Sequence, residues 1–328
     1  MPKEESPPLP EQASIADHSH VDSQDIAKSR ARGPMVGLFA WIVLLTLVFL
    51  QPLVSLFAYA SDTALHSHIV LVPWVVAWLI HLRRPVLPNP GSSSLWAAML
   101  PLAAGAASLT LAFSLGSAPT GRLSQNDYLA LMSLSYVCFL WAGGFSFLGI
   151  KGMSAIAFPA AFLVFLVPMP SGMTEWLEQA SVFGSAEAAD WMFRLSGTPF
   201  VRDGVSFQLP GIAIRVAQEC SGIRSSWVLF ITSLVASHLF LKRPWRQVIL
   251  VAVVFPLAIL RNGFRILVIG LLCVNVGPHM IDSVIHHRGG PLFFGLSLIP
   301  LFLLLVWLRR GEAAASRTPA SLKHREKV

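Results

Sequence analysis

The run PLFFGLSLIPLFLLLVWL, Pro291–Leu308, followed at once by Arg309 and Arg310, decides the fold. Eighteen residues without a charge make a helix of about 27 Å, close to the ~30 Å hydrocarbon thickness of a bilayer. The two arginines stop it where water begins. Working back toward the N-terminus, comparable apolar stretches lie at about 35–60, 67–82, 95–115, 127–150, 153–168, 222–241 and 247–275, each bounded by charge, Gly or Pro. The chain as a whole is 54% hydrophobic and 12% charged, half the charge of an ordinary soluble domain at ~25%. These features predict an all-α polytopic membrane protein of about eight transmembrane helices. Only Lys151 and Gly152 separate the fourth stretch from the fifth, so a tight hairpin or re-entrant segment there would make the count seven. The first stretch is too long and starts too late for a cleaved signal, and Gln51-Pro52 should break it.

Charge sets the expected orientation. Lys28, Arg30 and Arg32, then Arg83-Arg84, Lys151, Lys242-Arg243-Arg246 and Arg309-Arg310 fall in alternate loops, which the positive-inside rule assigns to the cytoplasm together with both termini. The net charge of +7 is therefore explained by orientation, and no nucleic-acid partner is expected. The resulting division is a disordered cytoplasmic tail at 1–34, membrane helices at 35–168, an extracytoplasmic connection at 169–221, a second set of membrane helices at 222–308, and a basic cytoplasmic tail at 309–328. Within the connection, Trp176, Leu177, Ala180, Phe183, Trp191 and Leu195 approximate one helical face, predicting a helix that lies in the membrane interface. After it, Asp203-Gly204 between Phe200-Val201 and Val205-Ser206-Phe207 predicts a hairpin. The extracytoplasmic segment is thus a helix plus a hairpin.

Three places carry chemistry. In Gln218-Glu219-Cys220-Ser221-Gly222-Ile223-Arg224, a thiol sits at the start of a membrane helix, where unpaired N–H groups favour a thiolate. Arg224 would assist it and Glu219 would oppose it unless paired with an arginine; the plainer reading is a small residue that packs. Cys138 and Cys273 have only apolar neighbours and read as packing residues. In Arg261-Asn262-Gly263-Phe264-Arg265 two arginines share one helical face inside a membrane stretch, either as functional cations or as structural partners of carbonyls or carboxylates. If that helix continues to Asn275, Arg265 lies ~15 Å below its end, predicting a site sunk into the outer leaflet. Finally, His286-His287-Arg288 precedes the last span, and a histidine there is either a proton carrier or an interfacial side chain. His279, Asp282 and His286 match no strong zinc spacing, so no metal and no cofactor is expected. On the predicted topology Cys220, Arg265 and His286 share one side of the membrane, which assembles a nucleophile, a base and an oxyanion-stabilising cation.

These motifs resemble the exosortase/archaeosortase family of multi-pass membrane cysteine transpeptidases. The resemblance rests on Glu219-Cys220-Ser221-Gly222-Ile223-Arg224, Asn262-Gly263-Phe264-Arg265-Ile266, His286 with Gly290 and Phe293-Phe294-Gly295, and the exit Val167-Pro168-Met169-Pro170. It implies Cys220 as nucleophile, Arg265 as essential arginine and His286 as histidine, with His287 competing for that role and Glu219, Arg224, Asn262 and His287 in support. It also implies the substrates: exported proteins ending in a short motif such as Pro-Glu-Pro, a transmembrane helix and a basic cluster. Cleavage would occur on the periplasmic face of a bacterial inner membrane, commonly beside exopolysaccharide production, with the new carboxyl end passed to another acceptor; a site sunk into the outer leaflet favours a lipid-linked amine in that role. The rival from another class is a non-catalytic membrane component of exopolysaccharide or lipid export, whose polar residues line a path. A metalloprotease is the weaker enzymatic rival.

Overall fold

The computed structural model describes residues 33–63, 65–83, 93–116, 123–216, 222–282 and 290–322, and divides the chain into two units at Met169 and Pro170. The first unit begins with α1 (Gly33–Val48) and α2 (Leu50–Asp62), bent by 72°. The cause is Pro52: its missing N–H is the donor that would reach the Val48 carbonyl, and the ladder resumes only with Leu53 N–H to Phe49 O at 3.0 Å. A 3₁₀ turn (Ser67–Leu71), α3 (Val72–Arg83), α4 (Leu95–Gly116), α5 (Gln125–Ala155) and α6 (Ala157–Phe162) follow, the last running on as a 3₁₀ turn to Leu166. Ser124 caps α5, accepting from Asp127 N–H at 3.1 Å.

This unit is apolar on its outside as well as in its core, the pattern expected of a chain solvated by lipid, and buried hydroxyls bond across its helices. Ser135 donates to the Gly105 carbonyl at 2.9 Å and Ser108 to the Leu131 carbonyl at 2.8 Å, tying α4 to α5 through small residues. Meanwhile Trp74, Trp96 and Leu100 stand 74%, 82% and 79% exposed, an outer surface that water would not tolerate over so wide an area. The expected break at Lys151-Gly152 lies elsewhere. It falls first at Gly149, whose φ of 67° is open to glycine and strained for other residues, and then at Ile156.

The second unit holds α7 (Ser171–Leu195), strands β1 (Val201–Asp203), β2 (Ser206–Leu209) and β3 (Ile212–Arg215), α8 (Ile223–Phe240), α9 (Pro244–Ala252), α10 (Val254–Asn275), a 3₁₀ turn (Pro278–Asp282) and α11 (Gly290–Leu322). The hairpin turns at Gly204 as the sequence predicts, pairing Arg202 with Phe207, but a third strand adds Phe207 to Ile214 and makes an antiparallel meander. The second turn is Pro210-Gly211, with Gly211 at φ 83°. Helix α7 carries the aromatic face that the sequence predicts, exposed with Trp176 at 66% and Trp191 at 60%, while its opposite, small-residue face stands against α10. Ala188 and the Ala189 backbone meet Gly263 where an added Cβ would come within 2.6 Å. Farther along, Phe193 covers Gly270, and Val182, Ala186, Ala189 and Phe193 join Phe207, Leu209, Ile214 and Ile266 in one apolar core.

Among the described residues five helices are long and apolar enough to cross a membrane, or seven spans if each bent pair counts as one, so the eight expected from the sequence is an approximate count. In the second unit the spans share two rims. At one, the Glu312 carboxylate accepts the backbone N–H of Lys242 and of Arg243, and the Arg246 guanidinium donates to the Leu308 carbonyl. At the other, the start of α8 meets Arg261 of α10, and Phe264 meets Phe293 of α11 edge-on at 6.2 Å. The 18 residues of α8 place these rims about 27 Å apart, one hydrocarbon thickness. The run of α9 and α10 is 32 residues, about 48 Å of helix, so its last turns rise past the second rim and carry the sheet.

Candidate functional site

Gly222 opens α8 in the left-handed region, φ 69° and ψ 9°. Its carbonyl gathers four donors: Ser226 N–H at 3.0 Å, Ser226 Oγ at 2.8 Å, Ser225 Oγ at 3.0 Å and Arg261 Nη2 at 3.1 Å. The same Nη2 donates to Ser226 Oγ at 3.1 Å. Arg261 is only 8% exposed, and among the described residues it forms no ion pair and its Nη1 finds no hydrogen-bond partner. A buried guanidinium is costly without such bonds, so its grip on the α8 turn is a strong local constraint.

Beside it, Asn262 is 2% exposed and donates from Nδ2 to Ser185 Oγ at 2.9 Å, across to α7, where Ser185 is fully buried. A Cβ on Gly222 would lie 3.0 Å from Arg261 Nη2 and 3.4 Å from Asn262 Oδ1. The turn is thus pressed against the Arg261-Asn262 pair, and the missing side chain is what allows the approach. Arg265, one turn farther along α10, is half-buried; Arg224, in the first turn of α8, is exposed. Glu219, Cys220, His286 and His287 lie outside the described residues.

The structure therefore brings together Gly222, Arg261 and Asn262, with Arg265 one turn farther along α10, and through Phe264–Phe293 it draws in the start of the span that follows His286. It places Asn262 in a polar contact with α7 that the sequence did not reveal. Ser185 was missed because nothing local marks it; the signal available was the row Ser181, Ser185, Ala188, Ala189 of small residues at helical spacing. As the sequence predicts, α10 runs on to Asn275 and so carries Arg265 about 15 Å before its end, and that end projects beyond the start of α8 at Gly222.

Above the site, Arg202 of β1 bonds Glu187 of α7 at 2.6 Å, and Arg194 bonds Asp190 at 2.8 Å. The hydrogen bond from Glu187 raises the Arg202 guanidinium above its ordinary pKa. Among the described residues no three His, Cys, Asp or Glu side chains gather as a metal site would require.

A family model described as transmembrane exosortase matches residues 59–303, which includes the α8 turn, the Arg261-Asn262 pair and Phe293. No curated protein and no solved structure matches the chain.

Proposed function

The chain belongs to the transmembrane exosortase family, and from that premise we propose that it is a cysteine transpeptidase acting on the C-terminal sorting signals of exported proteins, with Cys220, Arg265 and His286 as its catalytic residues. The observation that carries the proposal is the buried clamp on Gly222. Two peptide bonds separate Cys220 from that residue, a span of at most about 7 Å, and Arg265 lies one helical turn from the Arg261 that holds it. A thiol entering α8 there meets the positive end of the helix dipole and nearby guanidinium charge, both of which favour the thiolate.

In the proposed reaction His286 takes the Cys220 proton and the thiolate sulfur adds to the scissile carbonyl carbon, Arg265 bearing the oxyanion. Collapse breaks the C–N bond, His286 returns the proton to the leaving amine, and a thioester remains. An acceptor amine, deprotonated by the same histidine, then displaces the sulfur and forms a new amide. The rim position suits a cut placed next to a substrate's own membrane helix, and it gives a lipid-borne amine sideways access. By the alternation of basic loops, the site faces the periplasm and the Glu312 rim faces the cytoplasm of a bacterial inner membrane.

The test is Cys220→Ala in cells, with mass spectrometry of the mature substrate's C-terminal peptide. We expect complete loss of processing at unchanged protein level, and in wild type an added moiety on the new carboxyl. A free carboxylate in every molecule, with the acceptor pathway intact, makes the protein a protease. Retained processing in the variant removes the covalent mechanism and returns the export-component reading.

A further inference from the structure

Arg261 and Ser185 are not among the residues that the reaction above uses, yet they hold the two sides of the α8 turn. We propose that both are positioning residues: Arg261 fixes the Gly222 carbonyl and Ser185 fixes the Asn262 amide, so that together they set the direction in which Cys220 is presented. The inference rests on the reading of Cys220 as nucleophile and deepens it.

Three observations support a role beyond packing. First, the convergence is on one atom. A carbonyl oxygen has two lone-pair directions, and here four donors crowd the Gly222 oxygen, among them a buried cation. That is more than closing one helix turn needs, since the Ser226 N–H alone does so. Second, the turn is left-handed and Gly222 lacks the Cβ that would push Arg261 away. The backbone is therefore held in a state that only a few residue types adopt, two residues after the thiol. Third, Asn262 is oriented from a different helix. With its Nδ2 given to Ser185 on α7, its Oδ1 is left beside the turn. Helix α7 in turn stands against α10 at the Ala188–Gly263 contact and against the sheet through Phe193 and Phe207 in one apolar core. The extracytoplasmic sheet is thus linked through α7 to the geometry of the α8 entrance.

Among the described residues the other buried arginine of this unit, Arg246, shows what a structural contact looks like: it bonds a single helix carbonyl and stacks on Trp245 at 4.9 Å, at the far rim. Arg261 has no aromatic ring contact among the described residues and commits its Nη2 to the α8 turn.

The experiment uses the full chain in detergent or vesicles with Cys138 and Cys273, both buried, replaced by Ala. The rate of Cys220 alkylation by an impermeant maleimide is measured beside kcat and KM on a sorting-signal peptide. We expect Arg261→Met to lower kcat at least tenfold and change the alkylation rate several-fold, with KM within about twofold, and Arg261→Lys to recover much of both because one nitrogen makes both contacts. Ser185→Ala should move the same two quantities in the same direction by about threefold to tenfold. If the variants lose only folded protein, so that kcat and alkylation rate per folded molecule match the parent, Arg261 and Ser185 are structural and the proposal is overturned. Should Arg261→Met fail to fold, Ser185→Ala and Asn262→Ser decide it by the same two rates. Activity that survives Cys220→Ala overturns the reading of Cys220 as nucleophile instead, and the alkylation rates still report on the clamp.

Discussion

The two rims of the second unit solve one problem in two ways. At each, a buried arginine donates to a helix carbonyl and lies against a glycine: Arg246 to Leu308 beside Gly311, and Arg261 to Gly222. At the basic rim the neighbouring charges are balanced, since the Glu312 carboxylate accepts from two backbone N–H groups at the start of α9, and Trp245 covers the guanidinium face. At the other rim no carboxylate approaches Arg261 among the described residues, and the glycine that it touches is in the left-handed region, φ 69°. The first arrangement closes a connection between helices. The second leaves positive charge and an ordered turn two residues from Cys220, so similar contacts yield a latch at one end and the candidate site at the other.

The largest expected contrast lies in the arginines that bracket this comparison. Arg265→Lys should reduce turnover by a hundredfold or more at normal protein level, because a point ammonium cannot replace a planar fork of donors. Arg246→Met should leave kcat per folded molecule within about twofold and lower the unfolding free energy by about 1.5–3 kcal/mol, the loss of a hydrogen bond to a charged group. Turnover assays paired with denaturant titrations separate the two. If Arg246→Met harms kcat as much as Arg265→Lys does, the rims are not functionally distinct.

A smaller contrast is set by the glycines. Gly222→Ala forces a Cβ into a φ of 69° and to 3.0 Å from Arg261 Nη2, which should cost about 1–2 kcal/mol of stability and about tenfold in turnover. Gly311→Ala meets only the end of the Arg246 side chain at 2.9 Å, with no positive φ, and should shift neither quantity by more than a fraction of that. The smallest effect should come from Glu187→Gln. Its carboxylate is 71% exposed in its pair with Arg202, and solvent screens such pairs heavily. We expect a barely measurable change in the unfolding midpoint that vanishes in high salt; a large one would mean that the sheet controls the site more tightly than the rim itself.

Much of this architecture is legible in the residues themselves. The spans follow from runs of uncharged residues, and the bend after Val48 from a single proline, because both depend on local chemistry. The Gly204 turn is legible for the same reason. The third strand is not: Ile212–Arg215 is too short to show alternation and is made a strand by pairing with β2. For α7 the aromatic face catches the eye, while the face that matters is a row of small residues whose meaning appears only when Gly263 lies opposite.

By itself the sequence determined that the chain is a helical membrane protein, and that its candidate chemistry sits at Cys220, Arg261-Asn262, Arg265 and His286-His287, since hydropathy and rare intramembrane charge are properties of the residues alone. Only the tertiary structure decided which arginine clamps the α8 turn and that Ser185 on a distant helix bonds Asn262. Those facts depend on where one helix starts relative to the middle of another. Such a register is set by side chains packing across helices, and no periodicity within a single helix encodes it.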